Sequence, residues 1–195
     1  MTPATGSWGG ATAVQGLHAW LEPGRFFGVF PVAVDQALAF FQAPRGEFAA
    51  FRADPMTSYR AELSARPGLA ELIGDGEPVE RLRGLSELPT FFRTSPGPGW
   101  ALIGDAGHHK DPVVARGMAD AFRDADVLSA AILAGWDGDL DAAVASYPVE
   151  RDKCSRPLSE ANLDVARLEG PADSLGRRWL ELGALERRLD EALAA

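Results

Sequence analysis

The stretch WALIGDAGHHKDPVVARGMADAFRDADVLSAAI, Trp100 to Ile132, decides how the rest of the chain is read. It opens with Trp100 to Ile103, a run without charge that is apolar on both faces, as a central buried strand is. A turn containing Gly104, Asp105, Gly107 and Pro112 follows. Beyond it Met118, Ala121, Phe122, Ala125, Leu128 and Ile132 recur at helical spacing until Gly135 ends the run. The expectation is a strand, a tight turn and a helix beginning near Gly117.

Such a unit has chemical potential. Ligands of α/β architectures sit beyond the carboxyl end of a buried strand, where Asp105 stands. An ionised carboxylate accepts hydrogen bonds, which suits a hydroxyl-bearing ligand such as a ribityl or ribose chain. Gly104 and Gly107 let a backbone approach such a ligand closely. The helix start offers unpaired N–H groups and the positive end of its dipole to an electron-rich edge. A polyol joined to an electron-accepting ring describes a flavin, and a phosphate or sugar ligand fits nearly as well. The bland reading has Asp105 capping its own turn, with the glycines needed only for positive φ.

The segment GDAGHHKDPVVARGMADAFRDADVL resembles the GD motif of class A FAD-dependent monooxygenases and related oxidoreductases, the family of p-hydroxybenzoate hydroxylase and geranylgeranyl reductases. Gly104, Asp105, Ala106, His108, Pro112, Gly117, Ala121, Asp124 and Ala125 match the family form in register, and the likeness extends over roughly Phe26 to Arg151. The resemblance implies a site built from Gly104, Asp105, Ala106, His108, Pro112, Arg116, Gly117 and Met118. Asp105 would bind the ribityl hydroxyls and Pro112 would line the isoalloxazine face. The N–H groups around Arg116 to Met118 would approach the N1 and C2 carbonyl edge, and His108 would stand at the rim. FAD is the implied cofactor, NAD(P)H the implied reductant and a small organic molecule the implied substrate. Ala115 departs from the pattern, since many members have glycine there.

A larger departure lies at the amino terminus. The family opens with a βαβ unit carrying G-x-G-x-x-G, which holds the pyrophosphate. GSWGGATAVQG, Gly6 to Gly16, lacks that order. The chain is therefore expected to be the carboxyl-terminal part of such an enzyme without its ADP-binding half: a fragment, one half of a split enzyme, or a non-catalytic binding or partner protein that kept the fold. A second chain or a homodimer is expected to cover the sheet edge so exposed.

The expected fold is α+β, with an antiparallel-rich sheet, the GD strand–turn–helix and a helical carboxyl-terminal half. Residues 1–24 read as a flexible lead-in, 25–99 as a substrate-domain-like sheet with helices, 100–153 as the GD segment and 154–195 as closing helices. Phe26 to Ala33 and Leu38 to Gln42 predict an antiparallel pair turning near Asp35, with Pro31 at an edge or a bulge. Helices are expected over Arg45 to Ala65, with Pro55 as a break or a second start, over Pro67 to Ile73, and over Leu140 to Arg151 with Asp139 as cap. Short strands are expected at Glu80 to Arg83 and Phe91 to Thr94. Leu175, Trp179, Leu182, Leu189 and Leu193 mark a packing stripe in the last helix. The aromatics Phe26, Phe27, Phe30, Phe40, Phe41, Phe91 and Phe92 serve the core or line an apolar pocket.

Composition narrows the partners. At 195 residues, 46% hydrophobic and 24% charged, the chain can bury a core. A net charge of −9 with no basic cluster argues against nucleic acid, and Asp120, Asp124 and Asp126 read as a solvated face. One cysteine, Cys154, excludes an internal disulfide and fits a reducing cytoplasm. No secretory signal or membrane span is expected. His108 and His109 lack a third ligand fixed by spacing, so no metal site is expected.

Overall fold

The computed structural model describes residues 2–11 and 14–194. The architecture is α+β: an antiparallel sheet leads the chain and helices make up its carboxyl-terminal half. The chain divides into two compact units. The first comprises Met1–Leu88 and Arg167–Leu175, the second Pro89–Ala166 and Gly176–Ala195.

The first unit is built on strands β1 (Thr2–Gly9), β2 (His18–Glu22), β3 (Arg25–Ala33) and β4 (Gln36–Ala43). Their order is β2-β3-β4-β1, extended by the short strands β5 (Glu77–Pro78) and β6 (Arg83–Gly84), which both pair with β1. All these pairs are antiparallel. The expected hairpin is β3 and β4. Its register shifts between Pro31 and Ala33, so Pro31 sits beside a bulge, beyond the last β3 residue paired with β2.

Two expectations for this unit are corrected. The stretch read as a flexible lead-in forms β1 and β2, although Met1, Thr12 and Ala13 lie outside the described residues. Ala4, Gly6 and Trp8 alternate along β1 and are buried, a period-two pattern that small residues disguised. Gly6 is small for a reason: a Cβ there would lie 2.7 Å from Leu82 Cδ2 and 3.4 Å from the Tyr59 hydroxyl. The second correction concerns Glu80 to Arg83, expected as one strand. Its place is taken by the two short pairings of β5 and β6.

Helices α1 (Phe48–Ala53), α2 (Pro55–Ser64) and α3 (Pro67–Ile73) follow the sheet. Pro55 and Pro67 occupy first-turn positions, where a missing N–H is harmless, and Asp54 caps α2 by accepting from the Thr57 N–H at 3.2 Å. Tyr59, Leu63, Leu69 and Ile73 from these helices join Trp8, Phe27, Val29 and Phe41 from the sheet in one buried cluster. Each fully buried side chain of this size contributes roughly 1.5–3 kcal/mol. The Tyr59 ring stacks on Trp8 at 5.9 Å, and its hydroxyl donates to the Ala39 carbonyl at 2.5 Å.

The second unit contains the hairpin of β7 (Phe91–Phe92) and β8 (His108–His109), then α4 (Gly117–Gly135), α5 (Leu140–Val144) and α6 (Tyr147–Ala166). It also holds most of α7 (Ala172–Ala194). Asp139 caps α5 as expected, accepting from the Ala142 N–H at 3.0 Å. Helix α6 runs through Pro157 and so joins the end of the GD segment to the first of the closing helices. In the α7 stripe Leu175 and Leu182 are buried and Trp179 and Leu189 half-buried, while the side chain of Leu193 lies outside the described residues.

Trp100 to Ile103 does not form the central strand that its composition predicts. Strand geometry needs a partner ladder, and among the described residues only an isolated bridge, Gly97 to Trp100, forms there. Trp100 is 51% and Ile103 38% exposed.

Candidate functional site

The GD turn is organised around a carboxylate, but not the one its sequence advertises. Gly104, at φ +54°, donates its N–H to Asp124 Oδ2 at 2.8 Å. The same oxygen accepts from His108 Nε2 at 3.0 Å. Asp124 and His108 are both fully interior, and the His108 ring stacks on Phe92 at 5.4 Å. Asp124 therefore pins the turn to the first half of α4. His108, expected at the rim, is buried and serves as an internal donor.

The two glycines also have a different use from the one expected. A Cβ at Gly104 would meet Ala121 Cβ at 2.9 Å, and one at Gly107 would meet the Leu102 carbonyl oxygen at 2.8 Å. Both close approaches are internal packing of the turn rather than room for a ligand.

Asp105 is left free by this arrangement. It is exposed and has no hydrogen-bond or ion-pair partner among the described residues. Its Oδ1 would lie 3.6 Å from a Cβ at Gly117, which places the carboxylate at the opening turn of α4. That turn has no side-chain cap, and the first intrahelical bond runs from the Asp120 N–H to the Arg116 carbonyl at 3.0 Å. The N–H groups of Gly117, Met118 and Ala119 are thus left for solvent or a ligand. Ala106, Pro112, Gly117 and Met118 are exposed and Arg116 half-exposed, so six of the eight expected residues face outward while Gly104 and His108 do not.

The loop ahead of α4 is firmly held. Asp111 accepts from the Val113 N–H at 3.0 Å, Asn162 Nδ2 donates to the Asp111 carbonyl at 3.0 Å, and Ala115 takes the left-handed conformation at φ 54°. Ala115 thus adopts the backbone geometry for which glycine is the usual choice. The Tyr147 hydroxyl donates to the Leu102 carbonyl at 2.9 Å, and burial, followed by the charge of Asp124, pushes its phenol above the usual range.

Beneath α4 lies an ion-pair network that the sequence did not reveal. Asp120 pairs with Lys110 and, at 2.8 Å, with Arg123. Arg123 also reaches Asp190 at 2.8 Å and Glu186 at 3.6 Å, and Glu186 holds Arg116 at 2.6 Å. Asp120 and Asp124, expected on a solvated face, are both buried, while Asp126 is exposed. The face of α4 marked by apolar periodicity points the other way: Met118 and Phe122 are each 77% exposed.

His109 stacks on Phe91 and takes the Pro89 carbonyl at 2.6 Å through Nδ1. No group of three or more His, Cys, Asp or Glu residues among those described could hold a metal ion. In the sheet unit, a cavity of about 180 Å³ is lined by Phe41, Phe48, Phe51, Ala4, Ala43 and Ser58, among others. Phe26 and Phe27 are buried in the core instead.

No protein-family model matches the sequence, and no curated protein matches it. Solved structures do. A probable FAD-dependent monooxygenase from Pseudomonas aeruginosa, PqsL, superposes with a TM-score of 0.69 at 21% identity over 94% of this chain and 51% of that one. Klebsiella pneumoniae HpxO, complexed with FAD and uric acid, gives 0.62 at 23% identity over 97% of this chain and 51% of its own. The flavin-dependent halogenase CmlS gives 0.63 at 17% identity over 91% and 34%. The fold is therefore that of part of a flavin-dependent monooxygenase or halogenase. This chain spans about a third to a half of the length of these structures. No helix among the described residues is long and apolar enough to cross a membrane.

The residues present fit the ring-and-ribityl side of FAD, the cofactor in the Klebsiella structure. A free carboxylate and three uncapped N–H groups stand together at one helix start. Among the described residues no phosphate cradle accompanies them: Gly6 and Gly9 of the glycine-rich amino-terminal stretch are built into β1.

Proposed function

We propose that this chain carries the ring-and-ribityl half of the FAD site of a flavin-dependent monooxygenase-type oxidoreductase acting on a small organic substrate. The ADP half of the cofactor is held by a module outside these residues. The carrying observation is the contrast between the two aspartates. Asp124 has the structural task of the GD turn, so Asp105, solvent-facing at the uncapped start of α4, has none that folding requires.

Each role follows from a group on the page. Asp105 accepts hydrogen bonds from ribityl hydroxyls. The N–H groups of Gly117 and Met118, with the helix dipole behind them, approach the electron-rich N1 and C2 carbonyl edge. Pro112 and Ala106 present small apolar surface to the ring, and Arg116, anchored by Glu186, adds a positive charge at the same helix start. The bound flavin, reduced by NAD(P)H, supplies the redox chemistry.

Riboflavin and FMN contain the parts this half-site contacts, so their titration, followed by flavin fluorescence, tests the reading. Saturable binding is expected, and Asp105→Ala should weaken it about tenfold or more, the worth of a charge-assisted hydrogen bond. Equal binding by Asp105→Ala, or no saturable binding of either flavin, would sink the proposal.

A further inference from the structure

The sheet unit holds a cavity that no residue of the GD turn lines. Its floor follows from the alternation of β4 and β1. Phe41 and Ala43 lie on the buried face of β4, and Ala4 stands opposite Phe41 in the β1 pairing. Two of these three side chains are single methyl groups, so the floor drops away beside the Phe41 ring. Phe48 and Phe51, three residues apart and therefore on one side of α1, form the wall, and Phe51 meets Phe41 edge-on at 5.5 Å. Neither is fully buried, because the floor beneath them does not rise to fill the space. About 180 Å³ bounded by aromatic rings is left.

The rim supplies charge of one sign. Among the described lining residues the only ionisable side chains are Glu47 and Glu62. Arg25 spans them, reaching Glu47 Oε2 at 2.6 Å and Glu62 Oε1 at 3.2 Å. Glu62 Oε2 takes Arg66 at 3.3 Å, and Arg66 also holds Glu22 through both of its carboxylate oxygens, at 3.1 and 2.8 Å. Three carboxylates thus divide two guanidiniums. The oxygen left over is Glu47 Oε1, which has no partner among the described residues.

We propose that this cavity between sheet and helices binds a one-ring arylalkylamine, with the ring among Phe41, Phe48 and Phe51 and the ammonium at the rim, donating to Glu47 Oε1. Size sets the ring count. A cavity near ~150 Å³ already accepts benzene, so one of about 180 Å³ takes a single ring with a short arm and is too small for a fused tricycle such as a flavin. Aromatic walls favour an aromatic ligand through edge-to-face contact, and phenylalanine faces also attract a cation. Charge sets the head group: an anion would face two carboxylates, and a neutral hydroxyl would forgo the charge-assisted bond. The site goes beyond the flavin reading and does not depend on it.

Nuclear magnetic resonance of alanine methyl groups reads occupancy directly, since Ala4, Ala43 and Ala50 all line the cavity. Benzylamine, an ammonium ion at neutral pH, should shift these methyls saturably. Benzyl alcohol should bind at least about tenfold more weakly, the worth of one charge-assisted hydrogen bond, and benzoate more weakly still. Glu47→Gln, at an exposed position, should bring benzylamine down to the level of the alcohol and leave the alcohol unchanged, which shows the cavity intact. Ala50→Phe, which fills the exposed mouth, should weaken both ligands about tenfold or more at unchanged circular dichroism. Three results overturn the proposal: no saturable shift with benzylamine, equal affinity for the amine and the alcohol, or binding indifferent to Ala50→Phe. A chain that binds riboflavin while benzylamine leaves these methyls unmoved refutes this site and spares the flavin reading.

Discussion

Asp124→Ala and Asp105→Ala, nineteen residues apart in one motif, should behave as opposites. Removing the Asp124 carboxylate strands two buried donors, the Gly104 N–H at 2.8 Å and His108 Nε2 at 3.0 Å. A buried donor left unsatisfied costs about 1–3 kcal/mol, and bonds to a charged acceptor lie toward the top of that range, so the pair sums to about 4 kcal/mol. Alanine returns about 0.5 kcal/mol through its better helix propensity. The net loss of about 3–4 kcal/mol is a large share of the roughly 5–15 kcal/mol that holds a domain folded. Asp105 has no partner to strand, and its loss should change stability by less than about 0.5 kcal/mol. Urea unfolding followed by far-ultraviolet circular dichroism measures both, and hydrogen exchange at the Gly104 amide should accelerate in Asp124→Ala alone. A cost below about 1 kcal/mol for Asp124→Ala, or a larger cost for Asp105→Ala than for Asp124→Ala, would refute the division of labour between them.

Gly104→Ala meets both a left-handed backbone at φ +54° and the Ala121 Cβ at 2.9 Å, so it should cost about 1–3 kcal/mol in the same urea assay. Ala121→Gly should recover the contact portion and leave the backbone portion; full recovery or none would contradict the geometry. Alkaline pH should be destabilising through the chain's only two tyrosines, Tyr59 and Tyr147, whose phenols burial holds above their ordinary range. Unfolded tyrosines lose their protons near pH 10 while the folded ones keep theirs, so stability is intact below that pH. It then falls by up to about 2.7 kcal/mol per pH unit for the pair. Phenolate absorbance should rise together with loss of circular dichroism, and a phenolate titration near pH 10 in a chain that stays folded would show the burial to be wrong.

The sheet hairpin, the proline-started helices and both ends of α4 could be read from the sequence because their signals are local. A proline at a first turn, a capping aspartate and a polar break between aromatic runs act within a few residues of themselves. Strand β1 was missed because its pattern is written in small residues, and Gly6 becomes informative only once Tyr59 and Leu82 are known to press against it. The strand at Trp100 to Ile103 was expected from composition alone, and among the described residues its hydrophobicity is present without the ladder pairing that makes a strand. At the candidate site the motif named the right loop but not its division of roles. Asp124 looks like a helix-surface residue until the left-handed turn at Gly104 brings a buried N–H to it.

The inverted burial of α4 joins these observations. A helix that buries Asp120 and Asp124 must satisfy both, and it does so with Lys110, Arg123, His108 and a backbone amide, all drawn from its own unit. Breaking any one of those partners would leave an uncompensated buried charge, so the acidic face is committed to the interior. The apolar face has no such commitment and remains available. In an ordinary monomer the two faces would be exchanged, because exposing Phe122 while burying Asp124 sacrifices hydrophobic stabilisation and gains only a network that roughly breaks even. The arrangement becomes favourable when a further apolar surface covers Met118, Phe122, Leu133 and Trp136.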